Sequence, residues 1–143
     1  MNEPPGVPWP APPRGSRDSA FFWEGVARRV LLGQRCKSCE RFRHPPRPLC
    51  PHCHRFEWEA VELSGRGTLH SWIKPVHPKL PTFPDDYLVA LVDLEEGVRL
   101  LSNLCEVELD EIANDMPLEV CFAPTAEGRW IHHFRPRGKR ENG

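Results

Sequence analysis

A chain of 143 residues, 39% hydrophobic and 27% charged, has room for one compact domain and a small appended module. Its net charge of −1 gives no overall pull toward nucleic acid or an anionic membrane. No apolar run reaches the roughly 20 residues a membrane-spanning helix needs.

Residues 1–16 carry Pro4, Pro5, Pro8, Pro10, Pro12 and Pro13 and read as a flexible, extended tail. The competing reading is an arm that docks on a partner through Trp9. The segment lacks the basic start and apolar stretch of a secretory leader, so the expected compartment is the cytoplasm. There, six cysteines serve as metal ligands or core filler more readily than as disulfides.

Residues 17–33 read as an N-terminal helix and a lead-in strand. Ser16 or Asp18 suits the N-cap, and Arg28 and Arg29 suit the negative end of the helix dipole. Phe22 and Val26 share a face with Arg29 or Val30. Phe21, Phe22 and Trp23 are consecutive, and successive helical residues point about 100° apart. One narrow stripe cannot bury all three. Either the helix is wedged between two parts of its own chain or at least one aromatic faces another subunit.

Residues 34–57 form a small ribbon built on Cys36-x-x-Cys39, ten intervening residues, and Cys50-x-x-Cys53. Two residues between cysteines let a tight turn aim both sulfurs at one ion, and two such turns complete a tetrahedral shell. A filled four-sulfur shell leaves no place for substrate, so the metal is structural. Spacing alone does not separate zinc from iron, and the iron reading would make a rubredoxin-like electron carrier. A segment this short cannot fold on its apolar area, which makes a metal staple physically reasonable. His44, His52 and His54 lie beside the knuckles as outer groups rather than ligands. Arg35, Lys37, Arg41, Arg43, Arg47 and Arg55 surround the site against Glu40. They either offset the net −2 charge of a divalent ion with four thiolates or bind the phosphates of a ligand.

Residues 58–137 change to a strand period, with candidates at 58–63, 67–74, 87–94, 98–104, 117–123 and 129–134. Residues 64–67 hold glycines for a tight turn or bulge, and 95–97 read as a hairpin connection. A proline-rich loop fills 75–86, a turn or short helix fills 106–116, and 138–143 are a C-terminal tail. Short strands with one longer crossover predict a small closed barrel. No phosphate loop, G-x-S-x-G or H-E-x-x-H occurs. Cys105 and Cys121 fall in apolar strands and read as buried filler. His132 and His133 alternate on the last strand, so at most one points inward. His70 and His77 have no assignable partner for acid–base work. The chain therefore does not read as a self-sufficient enzyme, and no catalytic residue is assigned.

In order, AFFWEGV (20–26), QRCKSCERFRHPPRPLCPHC (34–53), ELSGRGTLHSW (62–72), YLVALVDLEEGVRLLSNL (87–104) and MPLEVCFAP (116–124) resemble the DUF35 proteins. The resemblance covers residues 17–136. It implies a mainly β architecture: an N-terminal helix, a rubredoxin-like zinc ribbon and a C-terminal OB-fold barrel. It carries Cys36, Cys39, Cys50 and Cys53 over as ligands of a structural zinc.

It further implies a non-catalytic subunit complexed with a thiolase-fold enzyme, a thiolase or a sterol-carrier-type aldolase, acting on acyl-CoA. A MaoC-like hydratase is the alternative partner, and the complex is expected to be a heterotetramer or larger. A CoA ester would lie at the partner interface, with Arg41, Arg43 and Arg47 as candidate phosphate contacts. Phe21, Phe22, Trp23, Phe83 and Tyr87 are candidate interface residues, because aromatics are enriched there. Asn114 and Asp115 stand where many relatives place a glycine turn, and both tolerate the left-handed conformation. The rival function is a single-stranded nucleic-acid module of ribbon and barrel. Trp58, Trp72, Tyr87 and Trp130 would suit it, but Asp85, Asp86, Asp93, Glu95, Glu96, Asp110 and Glu111 oppose it. An independent acyl-CoA enzyme is a third class.

Overall fold

A computed structural model describes residues 9–138, so residues 1–8 of the expected N-terminal tail and 139–143 of the C-terminal one lie outside the described residues. The elements in chain order are α1 (Ala20–Ala27), β1 (Leu32–Cys36), β2 (Phe42–Arg43), β3 (Trp58–Glu62), β4 (Arg66–Ile73), β5 (Leu88–Leu94), β6 (Arg99–Leu104), β7 (Pro117–Pro124) and β8 (Trp130–Pro136). A short 3-10 turn at Leu109–Glu111 lies within the expected 106–116 turn.

Alternation along the strands makes the barrel. On β5, Leu88, Ala90, Val92 and Leu94 are buried, and on β6 so are Leu100, Ser102 and Leu104. Leu69, Leu118 and Phe134 complete the interior. The strand order β4-β5-β6-β8-β7 closes on itself, with β6 and β8 parallel at Leu104↔Phe134 and the remaining pairs antiparallel. Closure removes the free edges of an open sheet. β3 belongs elsewhere: it pairs antiparallel with β1 in the three-stranded sheet β2-β1-β3. Residues 58–62, expected in the barrel, are therefore the third strand of the ribbon, and the barrel begins at Arg66.

The turns meet specific backbone needs. Asp115 adopts φ 67°, the left-handed conformation expected of the Asn114–Asp115 pair, and its N–H donates to the Leu69 carbonyl at 2.8 Å. Gly67 is required for a different reason. A Cβ there would lie 2.4 Å from the Asp93 carbonyl oxygen, a backbone atom that cannot swing aside. Gly67→Ala should separate β4 from β5 and cost about 2 kcal/mol or more, read as a lowered urea midpoint. An unchanged midpoint would show that the strands accommodate the methyl group.

α1 is wedged between ribbon and barrel. Phe22 and Val26 are 4% and 0% exposed and join Leu31, Leu63 and the barrel residues in one core. Phe21 packs on Trp58 of β3 at 4.7 Å between ring centroids, and Trp23 meets Phe22 at 5.0 Å. Phe22, a candidate for a partner interface, is thus committed to the chain's own core. Ser19, rather than Ser16 or Asp18, occupies the N-cap position, and its hydroxyl accepts from the Ser16 N–H at 2.9 Å.

The described part of the N-terminal segment is not a solvated tail. Trp9 forms a parallel bridge with Thr125, and its carbonyl accepts from the Ala126 N–H at 3.0 Å. Arg129 donates to the Pro12 carbonyl at 2.9 Å. Trp9 thereby covers His133 at 4.4 Å between centroids, on the outer side of β8, while His132 points inward beneath Phe22. Both histidines are buried, at 5% and 2% exposure: His132 beneath α1, and His133 because the arm closes the face that alternation leaves open.

Candidate metal centre

The ribbon's two knuckles repeat the same local bonds. Cys36 N–H donates to the Arg41 carbonyl and Cys50 N–H to the Arg55 carbonyl, each at 2.9 Å. Glu40 N–H returns to the Cys36 carbonyl and His54 N–H to the Cys50 carbonyl, again at 2.9 Å. Each turn closes on a left-handed residue, Glu40 at φ 66° and His54 at φ 65°. β1 anchors the first knuckle at Cys36, and its pairing with β3 fixes that anchor at Trp58.

The turns bring four thiols to one point. Cys36 and Cys53 sulfurs are 3.5 Å apart, Cys39 and Cys50 are 3.7 Å apart, and all four lie within 4.8 Å of one another. A tetrahedral ion with metal–sulfur bonds of about 2.3 Å requires sulfur–sulfur edges of about 3.8 Å. The set fits such an ion with little movement. Backbone N–H groups already face the sulfurs: Ser38 and Cys39 donate to Cys36 at 3.4 and 3.5 Å, and His52 donates to Cys50 at 3.4 Å. The Cys39 N–H pushes the Cys36 thiol below its usual range, and the Cys53 N–H brings Cys50 down to about 6. These donors favour the thiolate at Cys36 and Cys50, whereas burial pushes the Cys53 thiol up to about 11.

The neighbouring polar groups divide into buried and exposed ones. Gln34, 1% exposed, is gripped at both ends by the Arg47 backbone: its amide donates to the carbonyl at 2.9 Å and accepts from the N–H at 3.0 Å. Arg43 is 4% exposed and donates to the carbonyls of Arg47 and Pro48. Arg43, expected at a phosphate, instead holds the 43–48 loop from within. Arg35 pairs with Glu59 across β1 and β3. Arg41 and Arg47 are exposed, and Arg41 meets the His52 Nδ1 at 3.0 Å. His44 packs on Phe22 at 5.4 Å, and no histidine joins the four sulfurs among the described residues.

Away from the ribbon, Trp23, Phe83 and Tyr87 come together with Val89, Leu101 and Ile131 around an apolar groove of about 310 Å³. β6 and β8 share one register position at Leu104↔Phe134, and Leu101 of β6 and Ile131 of β8 both line the groove. Phe83 stacks on Tyr87 at 4.7 Å, and Leu101 on the rim is 61% exposed. Phe21 lies apart, on Trp58. His70 sits in a surface cluster with Asp93 and Arg99, at 3.7 and 3.3 Å. Cys105 and Cys121 are not buried filler; they are half-buried and adjacent. Their approach was hidden in the sequence because 15 residues of turn and strand separate them.

Comparison with known proteins matches residues 23–59 to "ChsH2, rubredoxin-like zinc ribbon domain" and residues 60–123 to "ChsH2, C-terminal OB-fold domain". A probable enoyl-CoA hydratase alpha subunit of Thermomonospora curvata is 41% identical over 129 residues, which is 90% of this chain and 40% of that protein. The chain thus spans about two fifths of that relative's length. A DUF35 domain-containing scaffold protein of Methanocaldococcus jannaschii is 32% identical over 103 residues, covering 70% of this chain and 73% of that one. The solved structure described as "Ltp2-ChsH2(DUF35) aldolase" matches with a TM-score of 0.82 and 42% identity, over 87% of this chain and 98% of that chain.

Proposed function

This chain belongs to the ChsH2 (DUF35) family of zinc-ribbon and OB-fold proteins, and on that premise we propose that it is a non-catalytic scaffold subunit of an acyl-CoA enzyme. Its partner is a thiolase-fold enzyme, either a thiolase or a steroid side-chain retro-aldolase, in a cytoplasmic complex of four or more chains. The closed four-sulfur centre carries this reading. With four thiols converging on one point, a metal there is fully ligated and braces the ribbon rather than meeting substrate. The relative described as a scaffold protein and the aldolase that includes a ChsH2 DUF35 chain support the same role.

The docking surface is the groove of Trp23, Phe83 and Tyr87, whose aromatic lining and apolar rim are the composition of an interface centre. Arg41 and Arg47 supply exposed cations for the phosphates of a CoA ester bound at the junction. A MaoC-like hydratase is the second candidate partner, favoured by the description of the Thermomonospora relative.

Co-expression with each candidate enzyme and capture of the complex tests the proposal. Leu101→Asp and Phe83→Ala alter groove residues outside the core cluster, so folding should survive both. Each should weaken capture by at least about 30-fold, the cost of losing a buried apolar anchor. Capture at wild-type strength in both variants would remove the groove from the interface. Capture by neither enzyme class would remove the scaffold role.

A further inference from the structure

We propose that Cys105, Glu106 and Cys121 form a second metal site, for a thiophilic divalent ion of the zinc class with one coordination position open. The two sulfurs lie 3.5 Å apart, the same separation as Cys36 and Cys53 in the ribbon. A Glu106 carboxylate oxygen joins them, all three donors lying within 4.8 Å of one another. Cys105 follows the end of β6, held by its N–H on the Phe134 carbonyl at 2.9 Å, and Cys121 stands on β7. β8 lies between those strands, and Cys105, just past the end of β6, reaches Cys121 across it.

The backbone points the same way. Adjacent residues of an extended chain face opposite sides, so Cys105 and Glu106 would ordinarily diverge. Glu106 instead adopts φ 59°, a conformation that costs a non-glycine residue about 1 kcal/mol or more. That turn aims both side chains at Cys121. Among the described residues, six non-glycine residues have positive φ, and three of them directly follow a cysteine: Glu40, His54 and Glu106. The first two close the knuckles of the four-sulfur centre. The third repeats the cysteine-then-left-handed step at a place the ribbon does not reach.

Charge and chemistry fit a divalent ion. Two thiolates and one carboxylate around it sum to −1, and the Arg135 guanidinium lies 3.5 Å from Glu106 and 2.9 Å from Glu119. The Cys105 thiol faces the Phe134 carbonyl at 3.5 Å. Binding replaces the two S–H protons with metal–sulfur bonds, releasing two protons with no change of oxidation state. Three protein donors leave a fourth position for water or an exogenous group, unlike the closed ribbon centre.

Cobalt(II) titration of the full, reduced chain, with one equivalent of zinc already bound, tests the site. The expected result is a further equivalent of cobalt with a sulfur-to-cobalt charge-transfer band, two protons released per ion. Cys121→Ser should weaken that equivalent at least about 100-fold and Glu106→Gln about 10-fold, with the zinc equivalent retained in each. Glu106 is exposed and Cys121 half-buried, so neither change should prevent folding. Saturation of the wild type without a cobalt–thiolate band overturns the proposal. So does equal cobalt binding in both variants.

Discussion

Stripping the metal from the four-sulfur centre, or replacing Cys50 by Ser, should collapse protection of Leu32–Glu62 against amide exchange by several orders of magnitude. The barrel strands β4–β8 should lose far less. The ribbon has one small three-stranded sheet, buried mainly along β1, and its loops are held by turns rather than by an apolar centre. Binding of a structural zinc to a small module contributes about 10–16 kcal/mol to its folding. No single hydrogen bond of the ribbon, worth about 1 kcal/mol net, approaches that. The disturbance should extend to α1, because Phe21 rests on Trp58 and Phe22 on His44. Hydrogen exchange followed by mass spectrometry with and without chelator reads the outcome by segment. Unchanged protection of Leu32–Glu62 after metal removal would mean that the ribbon coheres by itself.

Acid should destabilise the chain steeply between about pH 6.5 and 4. Burial pushes both His132 and His133 down to about 4, so both are neutral in the folded protein at neutral pH. His132 faces Phe22, Trp23 and His44, and Trp9 covers His133. The unfolded chain takes up protons as pH falls through about 6.5, whereas the folded chain does not until about 4. Stability is therefore unaffected by these groups above 6.5 and falls as pH drops through that window. The loss is on the order of 2–3 kcal/mol for each histidine. Urea unfolding at stepped pH measures it, with zinc content followed in the same samples to separate thiolate protonation. His133→Phe should flatten the slope by about one proton, and an unchanged slope would contradict the assignment.

The same two histidines mark where sequence reading stops. Alternation along β8 correctly sends them to opposite sides, but it cannot tell that Trp9, more than 100 residues earlier, returns to cover the outer one. Strand positions were legible from period and glycine placement, and the paired cysteines announced the four-sulfur cluster by spacing alone. Partnership was not. The period of 58–62 says strand, yet whether it joins the barrel or the ribbon depends on β1, whose register pairs Cys36 with Trp58. Arg43 and Phe22 failed as surface residues for a related reason. Residue type suggested a phosphate ligand and an interface aromatic, whereas tertiary packing turned both inward. The groove draws residues from α1, the 75–86 loop, β5, β6 and β8, an assembly with no local signature.

X-ray absorption at the metal edge bears most directly on the scaffold account, measured on the Cys105→Ser/Cys121→Ser double variant carrying one equivalent of zinc. The account predicts a single shell of four sulfurs at about 2.3 Å with no oxygen or nitrogen neighbour. A mixed shell with an open position, or failure of the variant to retain zinc, would contradict a closed structural centre formed by Cys36, Cys39, Cys50 and Cys53.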